Sequence, residues 1–332
     1  MLQVPPLSLL RRARTLRAAA VLAVVLGLLV WWLAPDGRPE PRGRVVFSTG
    51  VPTGVYQRYG ELLKEALGRD LPEVSVALRD SEGSQQNLAR LASGDADFTI
   101  ATADAVATYL REDRPGADRL RGCARLYDDY VQLVVPRDSP VRSARDLRGK
   151  RVGVGQDGSG VRLLADRLLA GAGLEGADEL IPVSAGIDTM PELLEQGRLD
   201  AFFWSGGLPT TAVQQLSDRF PVRLVPLEEK LIGGLHRTGY PHYRSAVIPG
   251  DAYPAAQGGK PVPTVAVANL LVTSEDADAA LTEAFTRTVI GSRDRIGGKV
   301  HSAQLVDLRT AIYTDPLPLH EGARRYYHSV KP

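Results

Sequence analysis

The chain has 332 residues, 44% of them hydrophobic and 6% aromatic, and a formal net charge of +1. This is ordinary globular composition, enough for two domains or one large one, and it excludes a disordered chain. Basic and acidic residues are interspersed after the first forty positions, so nothing marks an electrostatic footprint for nucleic acid.

The N-terminus is the exception. Arg11, Arg12, Arg14 and Arg17 precede the uncharged run AAAVLAVVLGLLVWWLA, Ala18 to Ala34. Residues 1–34 read as a signal peptide or signal anchor, with the basic cluster left in the cytoplasm and everything downstream outside the membrane. The run, about 17 residues, is near the minimum for a span of roughly 20. No cysteine follows it directly and no clear cleavage site precedes Pro35, so an uncleaved anchor is preferred to a cleaved signal. Residues 35–43, PDGRPEPRG, form a Pro- and Gly-rich linker.

From Arg44 strand-like runs alternate with helical ones, the pattern of an α/β domain with parallel strands. RVVFSTG is a strand that ends in a small polar turn, and VYQRYGELLKEAL is amphipathic, with Tyr59, Leu62, Leu63, Ala66 and Leu67 on one face. VSVALRD and DADFTIAT give further strands, each followed by a helix. DYVQLVVPRDS, Asp129 to Ser139, and VPTVAVANLLVTSED, Val262 to Asp276, fall where the chain leaves one domain and returns to it. The expected lobes are therefore 44–135 plus 264–332, and 136–263. Gly233 to Pro263, rich in Gly, Pro and Tyr, is expected to be a long irregular loop.

The stretch RVGVGQDGSGVRLLADRLL, Arg151 to Leu169, contains GxGxxG at Gly153, Gly155 and Gly158. A dinucleotide site needs the glycines directly after the strand, and an acidic residue at the end of the next strand. Gly153 lies inside the strand, and Asp178 and Glu179 precede the strand candidate Leu180–Val183, so that reading is disfavoured. What remains is QDGSG at a helix start, where Gly158 and Gly160 expose backbone N–H groups and the helix dipole favours a carboxylate. Ser159 either joins that cradle or simply caps the helix. Similar turns recur in STGVPTGVY, SEGSQQN and FWSGGLPT, and in open α/β sheets such turns converge on one cleft.

These loops, in this order and spacing, resemble the TAXI family of extracytoplasmic solute-binding proteins of TRAP transporters. The resemblance covers Arg44 to about Gly291 and is carried by STGVPTGVYQRYGELL, SEGSQQNLARLASGDADFTIATAD, VGVGQDGSG and FFWSGGLPT. It implies a two-lobed type II periplasmic-binding-protein fold with two crossover strands and a ligand cleft. It also implies a small organic anion of the glutamate or dicarboxylate type as ligand, and TRAP membrane subunits as partners. Matching site positions are Thr49, Gly50, Tyr56, Gly83, Ser84, Asn87, Asp104, Ser159, Gly160 and Trp204, Ser205, Gly206 and Gly207. The sequence departs from the family pattern at Val51 and Pro52, at Gln57 in place of a second tyrosine, and at Val161 after GSG.

Two arginines, Arg79 at a strand end and Arg162 at a helix start, are placed to fork onto a carboxylate. Asp104 is expected either to cap its helix or to meet an amino group. His236, His242, His301, His320 and His328 lack ligand spacing and Cys123 is alone, so no metal, cofactor or disulfide is expected. No acid–base pair or nucleophile elbow marks an enzyme. A ligand-binding sensor that signals to a membrane kinase, and a dinucleotide-dependent enzyme suggested by GxGxxG, stay open as alternatives.

Overall fold

Short apolar runs broken by Gly- and Ser-bearing turns fold as strands here, and the 3.6-period segments between them fold as helices. The computed structural model describes residues 24–26, 41–174 and 179–330. The chain divides into Met1–Glu40 and Pro41–Pro332, and every strand of the sheet belongs to the second unit. Apart from helical Val24–Leu26, the signal or anchor segment 1–34 lies outside the described residues, as does most of the linker. Among the described residues no helix is long and apolar enough to cross a membrane.

The strands are β1 (Gly43–Ser48), β2 (Val74–Arg79), β3 (Phe98–Thr102), β4 (Leu120–Pro136), β5 (Arg151–Gly153), β6 (Ile181–Val183), β7 (Ala201–Gly206), β8 (Val222–Val225), β9 (Tyr243–Ile248) and β10 (Val262–Ser274). Hydrogen bonding orders them β2-β1-β3-β10-β4-β7-β5-β6, with β8 also on β4 and β9 also on β10. β1 is parallel to β2 and β3, and β5 is parallel to β6 and β7. The centre differs: β10 is antiparallel to β3, β4 and β9, and β4 is antiparallel to β7 and β8. The sheet is therefore mixed, and the two long strands β4 and β10 join its two parallel groups.

Four helices follow strands at the cleft: α1 (Val55–Asp70) after β1, α2 (Ser84–Ser93) after β2, α3 (Ala103–Arg111) after β3 and α4 (Gly160–Gly171) after β5. On α1, Tyr59, Gly60, Leu63, Ala66 and Leu67 are buried, which is the stripe its spacing predicts. One hydrophobic cluster is drawn from residues 131–267. Two others flank the β1–β3 end of the sheet. Phe98, Ile100 and Leu271 belong to one, and Ala101, Leu270 and Val272 to the other, as the alternation of strand side chains between faces requires.

Two expectations are corrected. β4 begins at Leu120 rather than Asp129, because Arg121 pairs with Glu275, and Arg125 and Arg244 pair with Asp128, so charged residues continue the strand while staying solvated. The segment 233–263 is not a long irregular loop. It completes the helix Glu229–Arg237, forms β9 and the short helix Pro254–Gln257, and ends in the start of β10. Buried Ile232 and Leu235 hold that helix despite Gly233 and Gly234 within it, so packing overrides low propensity.

Candidate functional site

The turns at the carboxyl ends of β1, β2, β5 and β7 converge on one crevice, the place where open α/β sheets bind ligands. Gly50, Val51, Gly54, Val55 and Tyr56 form one wall, Glu82, Gly83 and Ser84 a second, and Gly155, Gln156, Ser159, Gly160 and Val161 a third. Thr102, Asp129, Gly186, Trp204, Ser205 and Gly206 complete it. The cavity volume is about 70 Å³, room for several waters. That size suits a small molecule.

Local sequence builds each wall. Gly83 caps α2 with φ 126°, a conformation that side-chain-bearing residues rarely adopt. Ser159 caps α4, its Oγ accepting from Arg162 N at 3.0 Å and donating to Gln156 O at 2.6 Å. Gly155, at φ 86°, lets the chain turn onto α4, since a Cβ there would lie 2.8 Å from Arg162 N. The turns after β2 and β5 touch: Gln85 Nε2 donates to Ser159 O at 2.8 Å and Gln86 N to Gly158 O at 3.1 Å.

Three helix starts therefore face the cavity. Among the described residues, no protein acceptor meets the backbone N–H of Val55, Tyr56, Ser84, Gly160 or Val161. First-turn N–H groups have no intrahelical partner, and the dipole adds partial positive charge there, so the walls suit a carboxylate. No Lys, Arg or His lines the cavity, and its two acidic side chains are Glu82 and Asp129.

Asp129 was not picked out from the sequence, and it is the most unusual group present. It is 4% exposed and its Oδ1 has no hydrogen-bond partner. Burial pushes its carboxyl up to about 7; the nearby Asn269 amide offsets part of that, and Asp128 and Asp104 add to it. Neither Asn269 Nδ2 nor Asp129 Oδ1 completes a bond of normal geometry, and Ser205 Oγ is also unpartnered. Tyr56 OH donates to Asn269 Oδ1 at 2.5 Å and lies 3.1 Å from Ser84 Oγ. Burial above all, then the charge of Asp129, raises the pKa of this phenol. The available sequence signal was two adjacent aspartates leading into the apolar run YVQLVV.

Of the residues singled out from sequence, Gly50, Tyr56, Gly83, Ser84, Ser159, Gly160, Trp204, Ser205 and Gly206 line the cavity together. The others have different placements. Thr49 is buried beside it, its Oγ1 on Gln57 Oε1 at 2.5 Å and Arg79 O at 3.2 Å. Asn87 ties strand ends together, donating to Thr49 O and Ile100 O and accepting from Ser48 Oγ. Gly207 packs against Ser302. Asp104 meets a cation of the protein itself, Arg167, at 3.2 Å. The guanidinium of Arg162 is held by Asp166 and Asp157, and Arg79 donates to Asp95 O. Neither arginine lines the cavity, because a nearby acceptor of the protein takes up each fork. The thiol of Cys123 is buried.

A two-lobed α/β sheet linked by two crossover strands, with its cleft at the strand ends, is the type II periplasmic-binding-protein fold. The chain belongs to the NMT1-like family, whose sequence pattern matches residues 47–329. Among solved structures, a putative L-cystine ABC transporter from Listeria monocytogenes is similar with a TM-score of 0.50 at 14% identity, over 80% of this chain and 98% of that one. A protein from Bordetella bronchiseptica RB50 gives 0.50 at 18% identity, over 88% and 90%. The periplasmic aliphatic sulphonate binding protein SsuA from Escherichia coli gives 0.48 at 16% identity, over 88% and 84%. At these identities the likeness is one of fold.

Proposed function

We propose that the chain is an extracytoplasmic solute-binding protein and not an enzyme. A small organic anion, of the glutamate or dicarboxylate type that the sequence resemblance implies, enters between lobe I (44–135 plus 264–332) and lobe II (136–263). Backbone N–H groups of α1, α2 and α4 grip its anionic end, and bending at β4 and β10 closes the lobes over it. The loaded protein then docks on the membrane subunits of a TRAP-type carrier, as the TAXI resemblance implies, while residues 1–34 hold it at the membrane or are cleaved on export. The observation that carries this reading is the convergence of three helix starts, with free N–H groups, on one small cavity. Separate hydrophobic clusters on either side of the crossover strands support two lobes. The description of the Listeria neighbour as a putative transporter supports a transport role.

Calorimetry with a panel of small carboxylates and amino acids tests it. At least one is expected to bind saturably. Gly160→Val is expected to weaken that binding a hundredfold or more with the fold retained, because a Cβ at Gly160 already lies 3.0 Å from Ser84 Oγ and 3.3 Å from Thr102 Oγ1. A folded protein that binds none of the panel refutes the reading.

A further inference from the structure

The cleft has two chemically different ends. One is the set of helix starts already described. The other is a patch where three strands of the sheet each present an unpartnered polar atom: Asp129 Oδ1 from β4, Ser205 Oγ from β7 and Asn269 Nδ2 from β10. Register puts them on one face, since Val131 is paired with Ser205 and Val267 with Asp129, and residues two apart on a strand share a face. Asp129 and Ser205 line the cavity. The link Asn269–Tyr56–Ser84, with distances of 2.5 and 3.1 Å, joins this patch to the start of α2, so a molecule of a few heavy atoms reaches both ends.

We infer that Asp129 is a specificity-determining residue: with Ser205 beside it, it holds a protonated amine, so the cleft takes an amino-acid zwitterion in preference to carboxylic acids that lack the amine. This rests on the solute-binding reading above and narrows its ligand class. A buried carboxylate with an unsatisfied oxygen is costly, and a partner that brings positive charge or a hydrogen-bond donor relieves the cost while the group stays ionised. The protein offers only neutral groups at this position, chiefly the Asn269 amide nitrogen, which completes no bond of normal geometry, and the cavity lining contains no Lys, Arg or His. A plain dicarboxylate would set its second charge against Asp129 or Glu82, and like charges at contact disfavour binding. An ammonium on the carbon next to the gripped carboxylate instead reverses the sign at that end.

The test is calorimetry on the full-length protein at pH 8 with amino acids and their deaminated counterparts, including alanine with propionate and glutamate with glutarate. In the wild type, the amine-bearing member of any pair that binds is expected to be at least tenfold tighter. Asp129→Asn, which keeps the shape and removes the charge, is expected to abolish that preference by weakening the amino acid and not the deaminated acid. The inference is overturned if deaminated acids bind as tightly, or if Asp129→Asn keeps the preference; either result leaves a solute-binding protein standing. If no member of any pair binds, the solute-binding reading falls and the inference falls with it.

Discussion

Burial holds the Asp129 carboxyl at about 7 in the folded protein, whereas an aspartate in an unfolded chain ionises near 3.9. The sign follows from linkage: below about pH 4 both states are protonated and the group costs nothing, and as pH rises through about 7 the folded state must ionise a desolvated carboxyl, so stability is lost. The difference of about three pH units corresponds to at most about 4 kcal/mol. Asp129→Asn should therefore be more stable than the wild type at pH 8 without ligand, with the gap closing towards pH 4, as urea denaturation at several pH values would show. A gap of equal size at both ends would rule out titration of Asp129 as its source. The groups facing Asp129 are Tyr127 and Asp128 on its own strand, Tyr56 from α1, Asp104 from α3 and Asn269 from β10; both tyrosines have raised pKa values. Asp129 is thus the group that titrates near neutrality, and affinity for an amine should fall about tenfold per pH unit below 7. An affinity that instead rose on acidification would mean that a protonated Asp129 donates to the solute.

At the scale of elements, the cap of α4 separates two roles that the sequence left open for Ser159. Its hydroxyl is already used twice, by Arg162 N and Gln156 O, so the donors free to meet a solute there are backbone N–H groups. Ser159→Ala is expected to cost about 1 kcal/mol of stability and to weaken binding less than tenfold. Denaturation and calorimetry on the same variant decide the matter, and unchanged stability with a hundredfold loss of affinity would make the hydroxyl a ligand contact. The strands β1, β2, β3 and β10 were legible as apolar runs, and the resemblance put the Gly- and Ser-bearing turns after β1 and β2 at one cleft. The first half of β4 was not legible, because Arg121, Arg125 and Asp128 hide a strand that ion pairs keep solvated. β9 was also missed, since Tyr243–Ile248 is a strand through pairing with the distant β10. Arg162 reads as a carboxylate clamp in the sequence, but in the fold Asp166 and Asp157, four positions after it and five before, take up its guanidinium. Asp129 gave no periodic signal at all: its strangeness lies in burial without a partner, a property of the assembled sheet.

On the scale of the whole molecule, the two proposed lobes also meet at a buried ionic contact. Arg167 of α4 and Asp104 at the start of α3 have side chains 7% and 1% exposed and lie 3.2 Å apart. Tyr243 of β9 donates to Asp104 Oδ2 at 2.7 Å and accepts from Arg167 Nη1 at 2.8 Å; Arg167 also bonds Thr108 and stacks 4.1 Å over the Tyr240 ring. Removing one member of a buried pair strands the other and costs about 3–5 kcal/mol. The state that bears this cost depends on the hinge. If opening of the lobes returns Asp104 and Arg167 to water, the penalty falls on the closed form alone, and a ligand that needs closure pays it. Arg167→Met should then weaken solute binding about a hundredfold or more while changing ligand-free stability by about 1 kcal/mol or less, and the variant should no longer contract in solution scattering when solute is added. A ligand-free protein destabilised by the full 3–5 kcal/mol would show the opposite, that the pair is a permanent strut and closure turns on the facing loops Ser81–Gln86 and Gln156–Gly160 instead.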